Sequence, residues 1–195
     1  MARARRRQRP HRRTAGGARA RYVTWYLTLA ATAAVAGGDT AGARALLDTI
    51  ASAGQHSLYA RDPLLHHAVR GMIFARAAQY EAAVRELRAA VYSPTYGYTR
   101  INYELGRSLL ALGRAAEAVP VVRAALHGGI EGSGLYVTRT ELHELLAQAF
   151  AAAGARDSAA AHWAVVERAW RGADPALQAR YETARSGALA ARSRP

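Results

Sequence analysis

Apolar residues recur along most of this chain at intervals of three and four residues, which places them on one face of an α-helix. The periodic stretches are interrupted at Gly37-Gly38, at Gly113, at Gly154 and at Pro94. No stretch alternates apolar and polar residues with the period of two that is typical of a β-strand. The pattern therefore predicts an all-α fold in which the helices are joined by short connections.

The helical pattern repeats four times along the chain. Each repeat begins at a small residue, an alanine follows twelve positions later, and apolar or small residues stand sixteen and nineteen positions after the same anchor. We expect the anchor to lie where the two helices of a pair touch, because a larger side chain would hold them apart. The four sets are Ala31, Ala43, Leu47 and Ile50; Gly71, Ala83, Leu87 and Ala90; Gly106, Ala118, Val122 and Ala125; and Ala147, Ala159, Trp163 and Val166.

These residues resemble the tetratricopeptide repeat (TPR), a family whose first helix carries Leu-Gly-x-x-Tyr and whose second carries Ala-x-x-x-Phe. Leu105-Gly106 matches the first element, and Gly71-x-x-Phe74 and Leu146-Ala147-x-x-Phe150 match it in part. The resemblance covers residues 22–172 and implies a right-handed superhelix of about four antiparallel helix pairs. A ninth helix, which solvates the end of the stack, is expected within residues 173–195.

Two prolines predict local features of these helices. Asp174-Pro175 has the composition of a helix start, because aspartate caps a helix and proline fits its first turn; this last helix should fade near Gly187. Pro120 falls beyond the first turn of a helix that the repeat starts near Ala115, where proline lacks an N–H and clashes with the preceding turn. We therefore expect the helix to kink at Pro120 or to start late.

The N-terminal residues 1–21 contain nine arginines, no acidic residue and no apolar period, so we expect a disordered tail. A basic arm of this kind can also contact the phosphates of nucleic acid or of an anionic membrane. Residues 22–179 hold 14 arginines against 13 acidic residues and are nearly neutral. The net charge of +13 therefore describes the ends of the chain and not a folded binding face.

Residues 22–38 allow two interpretations. A basic stretch, about a dozen largely apolar residues and then Ala34-Val35-Ala36 are typical of a secretory signal with its cleavage site. Two tyrosines and two threonines interrupt the run, however, and the repeat requires a helix here. The run is also too short to span a bilayer, which takes about 20 apolar residues. We expect a structural helix in a cytoplasmic protein; export is the alternative if residues 1–36 are a signal.

Three segments have the composition of a chemical site, and each has a structural explanation. His143-Glu144 begins like the zinc-binding sequence HExxH, but Ala147 stands where the second histidine should be. His66 and His67 are adjacent, so we expect their rings to diverge on a helix. The glycine-rich residues 128–134 lack the Gly-Lys-Ser/Thr ending of a phosphate-binding loop, and the absence of cysteine excludes thiolate chemistry. We predict no catalytic, cofactor or metal site and no enzyme activity.

The resemblance implies a scaffold that binds a protein or peptide partner in a concave groove lined by the first helix of each pair. Removing the packing positions from each first helix leaves one stripe as the binding face. Arginine and tyrosine often carry binding energy, so we place the centre at Tyr103 and Arg107; the alternative is that Arg100 and Arg107 only pair with Glu104. The groove candidates are Met72, Arg100, Tyr103, Arg107, Glu144 and Gln148, with Trp25, Thr28, Thr32, Leu65, Ala68 and Glu141 on the same stripes.

The alternative function is a regulatory or nucleic-acid-associated module in which the arginine-rich residues 1–21 contact phosphate. Residues 92–98 and 128–134 also resemble linkers in the repeat regions of multidomain bacterial signalling proteins. Those regions lie C-terminal to a kinase or DNA-binding domain. This resemblance implies that the chain is a fragment of a larger kinase or transcriptional regulator.

Overall fold

The computed structural model describes residues 11–91, 99–127 and 137–190. These residues form helices and turns and contain no strand, which confirms the all-α prediction for the described part of the chain. The linkers at 92–98 and 128–134, with Pro94, and the first ten residues of the tail lie outside it. The helices are α1 (His11–Gly37), α2 (Thr40–Ala45), α3 (Leu47–His56), α4 (Leu65–Arg76), α5 (Tyr80–Ala90), α6 (Thr99–Ala111), α7 (Ala115–His127), α8 (Arg139–Ala152), α9 (Arg156–Trp170) and α10 (Gln178–Leu189).

The helices pack in chain order. Since α2 and α3 are one helix interrupted at Leu46, the described residues hold the nine helices that the sequence predicts. Each helix packs most extensively against its chain neighbours, and α1, α4, α6 and α8 also pack one against the next. We call these four the first helices, and α3, α5, α7 and α9 the second helices. In the described residues the second helices make no comparably extensive contact with each other, so the first helices form the closer layer.

The repeat positions occupy the places that the sequence predicts for them. Of the sixteen repeat residues, Leu47 alone is half-buried and the others are buried. A Cβ atom on Gly71 would lie 2.6 Å from Leu87 Cγ, and one on Gly106 would meet Val122 even more closely. These two anchors therefore lie where paired helices touch, sixteen positions from the residue that each contacts. Because both members of each contact lie at similar distances from the turn between them, the paired helices run in opposite directions.

The turns between paired helices share one geometry. The residue seven positions after each anchor has a positive φ, at Gly38, Ala78, Gly113 and Gly154. The next residue donates its N–H to the carbonyl three positions after the anchor, over 2.8 to 2.9 Å. A backbone hydrogen bond that joins residues five positions apart, around a residue with left-handed backbone angles, is a common way of ending a helix. All four units therefore repeat in backbone geometry as well as in sequence.

The N-terminal segment differs from its prediction. The described part of residues 1–21, from His11 onward, is helical and continues into α1 instead of being disordered. Arginine and alanine are strong helix formers, and Gly17 allows Leu58 to pack directly on the helix backbone. Further along α1, Ala31 and Val35 are buried against the neighbouring helices, so residues 22–37 form part of the folded body as expected.

The two prolines meet their predictions to different extents. Asp174 caps the backbone N–H of Ala176, and a turn of 3₁₀-helix over Pro175–Leu177 leads into α10, which ends at Leu189, close to the end near Gly187 that the sequence predicts. Pro120 lies inside α7, which begins at Ala115 and continues to His127. The late start is therefore wrong, and the kink, the other predicted outcome, stays a prediction. Pro120 is exposed, so water can bind the carbonyl group that has lost its intrahelical donor.

Candidate functional site

Two cavities lie along the layer of first helices. The larger, of about 830 Å³, is lined mainly by α1, α4 and α6, and the smaller, of about 500 Å³, by α6, α8 and α10. Arg107 of α6 lines both, so the two spaces adjoin. We call them together the first-helix groove.

All six groove candidates line this groove. Met72, Arg100 and Arg107 lie in the larger cavity, while Tyr103, Glu144 and Gln148 join Arg107 in the smaller one. The six candidates come from α4, α6 and α8, and Arg180 of α10 also lines the smaller cavity. The stripe selected by removing packing positions is therefore a true concavity at α6 and α8.

The same selection fails at the N-terminal end. Trp25, Thr28, Leu65 and Ala68 are buried in the core instead of facing the groove. The Trp25 indole N–H donates to buried Asp62 over 3.1 Å, which directs that face of α1 inward. For Trp25 and Thr28 the cause is that α1 packs on both α3 and α4, so the buried face of α1 is wider than one helix partner requires. The residues that line the larger cavity from α1 and α4 include Leu29, Thr32, Ala33, Met72 and Arg76.

The basic residues at the middle of the groove share one carboxylate. Arg100 lies 3.7 Å and Arg107 lies 3.3 Å from Glu104, which is largely buried. This pairing is the alternative arrangement that the sequence allows. Despite its contact with Glu104, the Arg107 side chain remains 57% exposed. The middle of the groove therefore keeps positive charge, to which exposed Arg76 adds.

Tyr103 presents an aromatic surface beside this charge. Its side chain is partly buried, and that burial is the main cause that raises its pKa. The Arg107 guanidinium lies 5.8 Å from the centre of the Tyr103 ring. Tyr103 therefore keeps its hydroxyl proton near neutral pH and can donate a hydrogen bond to an acceptor in the smaller cavity.

The opposite end of the groove carries an ion pair that the sequence did not reveal. Arg180 of α10 donates to both carboxylate oxygens of Glu144 in α8. The two residues are 36 positions apart, and α10 was predicted only to solvate the end of the stack. Glu141, which lines the same cavity, closes a capping box with Thr138 at the start of α8.

Two histidine pairs were also missed. The Nδ1 atoms of His143 and His162 are 2.8 Å apart, so one ring donates a hydrogen bond to the other. The rings of His66 and His67 were expected to diverge, yet their centres are 4.0 Å apart. Each of those two has its own partner, since His66 bonds the Pro63 carbonyl and His67 bonds Glu86. In the described residues no group of three or more His, Cys, Asp or Glu side chains could hold a metal ion.

Comparison of the chain with models of known protein families, with curated proteins and with solved structures gives no match. Among the helices described here, none combines the length and apolar character needed to cross a membrane.

Proposed function

We propose that this chain is a TPR-type scaffold that binds a segment of a partner protein in the first-helix groove. Two repeated features support the family assignment: the buried small and apolar residues at fixed spacings, and the four turns that close with the same backbone hydrogen bond. Neighbouring helix pairs bury each other's apolar faces in such a stack, as the packing of α1, α4, α6 and α8 does here.

The groove itself is the observation that carries the binding proposal. Its two cavities follow the first helices for most of the described chain, and they expose both apolar and charged side chains. An elongated concavity of this kind suits an extended or helical peptide better than a compact small molecule. The scaffold therefore acts by holding a partner segment, with no chemical step.

The distribution of charge along the groove predicts where the charged residues of the partner segment lie. Arg76 and Arg107 are exposed at the middle of the groove, where Glu104 also contacts Arg100 and Arg107. Beyond Tyr103, the end formed by α8 carries Glu141 and Glu144. We expect an acidic stretch of the partner to lie over the middle, close to Tyr103 and Arg107.

The test is selection from a random peptide display library against the full chain. Enriched peptides should contain acidic residues, and the Tyr103→Ala/Arg107→Ala variant should bind them at least about 30-fold more weakly, or about 2 kcal/mol. Arg85→Ala is the matched control, because Arg85 is an exposed arginine of α5 that lines neither cavity. Circular dichroism and melting temperature report whether each variant is folded. Equal affinity of the double variant and the parent, or a library without enriched peptides, contradicts the proposal.

A further inference from the structure

The contact between Glu144 and Arg180 is built as a recognition site for a guanidinium group. Arg180 donates from Nε to one carboxylate oxygen over 3.2 Å and from Nη2 to the other, which is the two-point geometry that distinguishes arginine from lysine. Glu144 is 9% exposed as a whole residue. Leaving a carboxylate this deeply buried without a charged partner is costly, which favours a guanidinium at this position.

An aromatic ring completes the site. The Arg180 guanidinium lies 4.4 Å from the centre of the Trp170 ring, and Trp170 is itself held in the core at the end of α9. A planar cation stacked on an aromatic face while it bonds a carboxylate uses both properties of arginine at once. Glu144 and Trp170 belong to α8 and α9, so the two residues that receive the guanidinium lie on helices other than α10.

The Arg180 side chain is more exposed than Glu144 and Trp170, the two residues that it contacts. Its side chain is 39% exposed, and it is supplied by the last described helix. What fixes α10 lies further along it, where Ala184 and Ala188 are buried and Gly187 contacts Trp163. The Arg180 side chain can therefore rotate into solvent while α10 stays in place.

The carboxylate of the site faces the smaller cavity of the groove. That cavity is lined by Glu144 and Arg180 together with Tyr103 and Gln148, and its volume of about 500 Å³ admits a side chain. An arginine that entered along the groove would come within reach of Glu144, because Glu144 lines this cavity. Exchange of one guanidinium for another preserves the charge pairing of the buried carboxylate.

We propose that Glu144 and Trp170 form an arginine-binding site, which Arg180 fills within the chain and an arginine of the partner segment fills in the complex. This inference rests on the proposed function, because it names the partner residue that the groove takes at its α8 end. It makes Arg180 an internal competitor, which a bound segment must displace. The partner segment is therefore acidic over the middle of the groove and carries an arginine beyond the acidic stretch.

The experiment vacates the site and offers it a free arginine. N-acetyl-arginine amide should bind to Arg180→Ala in a saturable way and shift the indole N–H resonance of Trp170. Its affinity for this variant should be at least about tenfold higher than for the parent, where Arg180 competes for the site. N-acetyl-citrulline amide, the neutral analogue, should not bind. Adding Glu144→Gln to Arg180→Ala should abolish binding of the arginine probe.

Arg185→Ala is the matched control, because Arg185 lies on the same helix, is exposed and contacts only Glu182, at 3.8 Å, among the salt bridges of the described residues. It should bind the probe no better than the parent. Arg180→Gln, which keeps the three side-chain carbons Cβ, Cγ and Cδ but removes the guanidinium, replaces Arg180→Ala if the alanine variant unfolds. A folded Arg180 variant that ignores the arginine probe, or binds citrulline equally, overturns the proposal. The probe needs no partner, so this result and failure of the peptide selection can be told apart.

Discussion

Ala78 occupies a backbone position where the other three repeats have glycine. Its φ is +56°, against +91°, +73° and +77° at Gly38, Gly113 and Gly154. A side chain with a Cβ atom pays about 1 kcal/mol or more in this left-handed region, which glycine enters freely. The turn between α4 and α5 is therefore the strained member of four otherwise equivalent turns.

We predict that Ala78→Gly raises the free energy of unfolding by about 0.5–1 kcal/mol, since relief of the strained φ outweighs the extra freedom of glycine in the unfolded chain. The neighbouring change Ala77→Gly is the control: Ala77 has φ −87°, so glycine there only adds unfolded-state entropy and should destabilise. Urea titration of both variants measures the signs. Destabilisation by Ala78→Gly would mean that the left-handed turn is misplaced.

Single residues were predictable from the sequence where size alone decides their place. Gly71 and Gly106 were expected at helix contacts because any side chain there would separate the helices, and both lie against the predicted residue of the second helix. The partner of Glu144 was not predictable, because spacing within one helix carries no information about Arg180 on another. The positive φ at Ala78 was also hidden, since its residue type does not require it.

The pairing of α8 with α9 places two histidines together in a way that depends on pH. The ring that accepts the hydrogen bond between His143 and His162 must be neutral. Burial and then the charge of Arg139 lower the pKa of His143. Burial, His143 and Arg123 lower the pKa of His162. Both rings are therefore protonated at a lower pH in the folded chain than in the unfolded chain.

A group whose pKa is lowered on folding contributes its full stability above the unfolded value of 6.5, and the contribution is lost as the pH falls. We predict that the free energy of unfolding decreases from pH 7.5 to pH 5. The slope should stay below about 1.4 kcal/mol per pH unit for each histidine, because each ring binds at most one proton and is partly exposed to solvent. The variant His143→Gln/His162→Gln should show a flatter profile in urea unfolding, whereas His56→Gln, at an exposed position, should keep the parental slope. An unchanged slope in the double variant would remove the pair as the cause.

At the scale of the helix, the sequence predicts which face is buried only where the helix packs against a single partner. At α6 and α8 the stripe left after removing packing positions lines the groove. At α1 the same reasoning misplaced Trp25 and Thr28, because a helix that packs on two neighbours buries residues that a single pair would leave outside. The start of α1 at His11 was missed for a different reason: arginines give no apolar period, although they favour helix.

At the scale of the whole molecule, α1 closes one end of the stack. Ala43 and Ile50 are fully buried in the cluster that also contains Ala31 and Val35 of α1. Removing α1 exposes this apolar surface and leaves α4 without one of its neighbours.

We predict that deletion of residues 1–37 lowers the melting temperature by several degrees or prevents folding, because about 25 cal/mol per Å² of newly exposed apolar surface is lost. Deletion of residues 1–10 is the control, since it leaves every described helix intact. Calorimetry or circular dichroism measures both. Equal melting temperatures for the parent and the chain that begins after Gly37 would show that α1 is dispensable, as in a cleaved signal.

The packing of each helix on its chain neighbours has a consequence for synthesis on the ribosome. Contacts that join residues close in sequence require little loop closure, so chains built from them fold rapidly, within microseconds to milliseconds for helical domains. The ribosome adds only about 5–20 residues each second. The unit formed by α1 to α5 can therefore reach its packed state before α6 has left the ribosome, and each later pair then adds to a surface that is already in place.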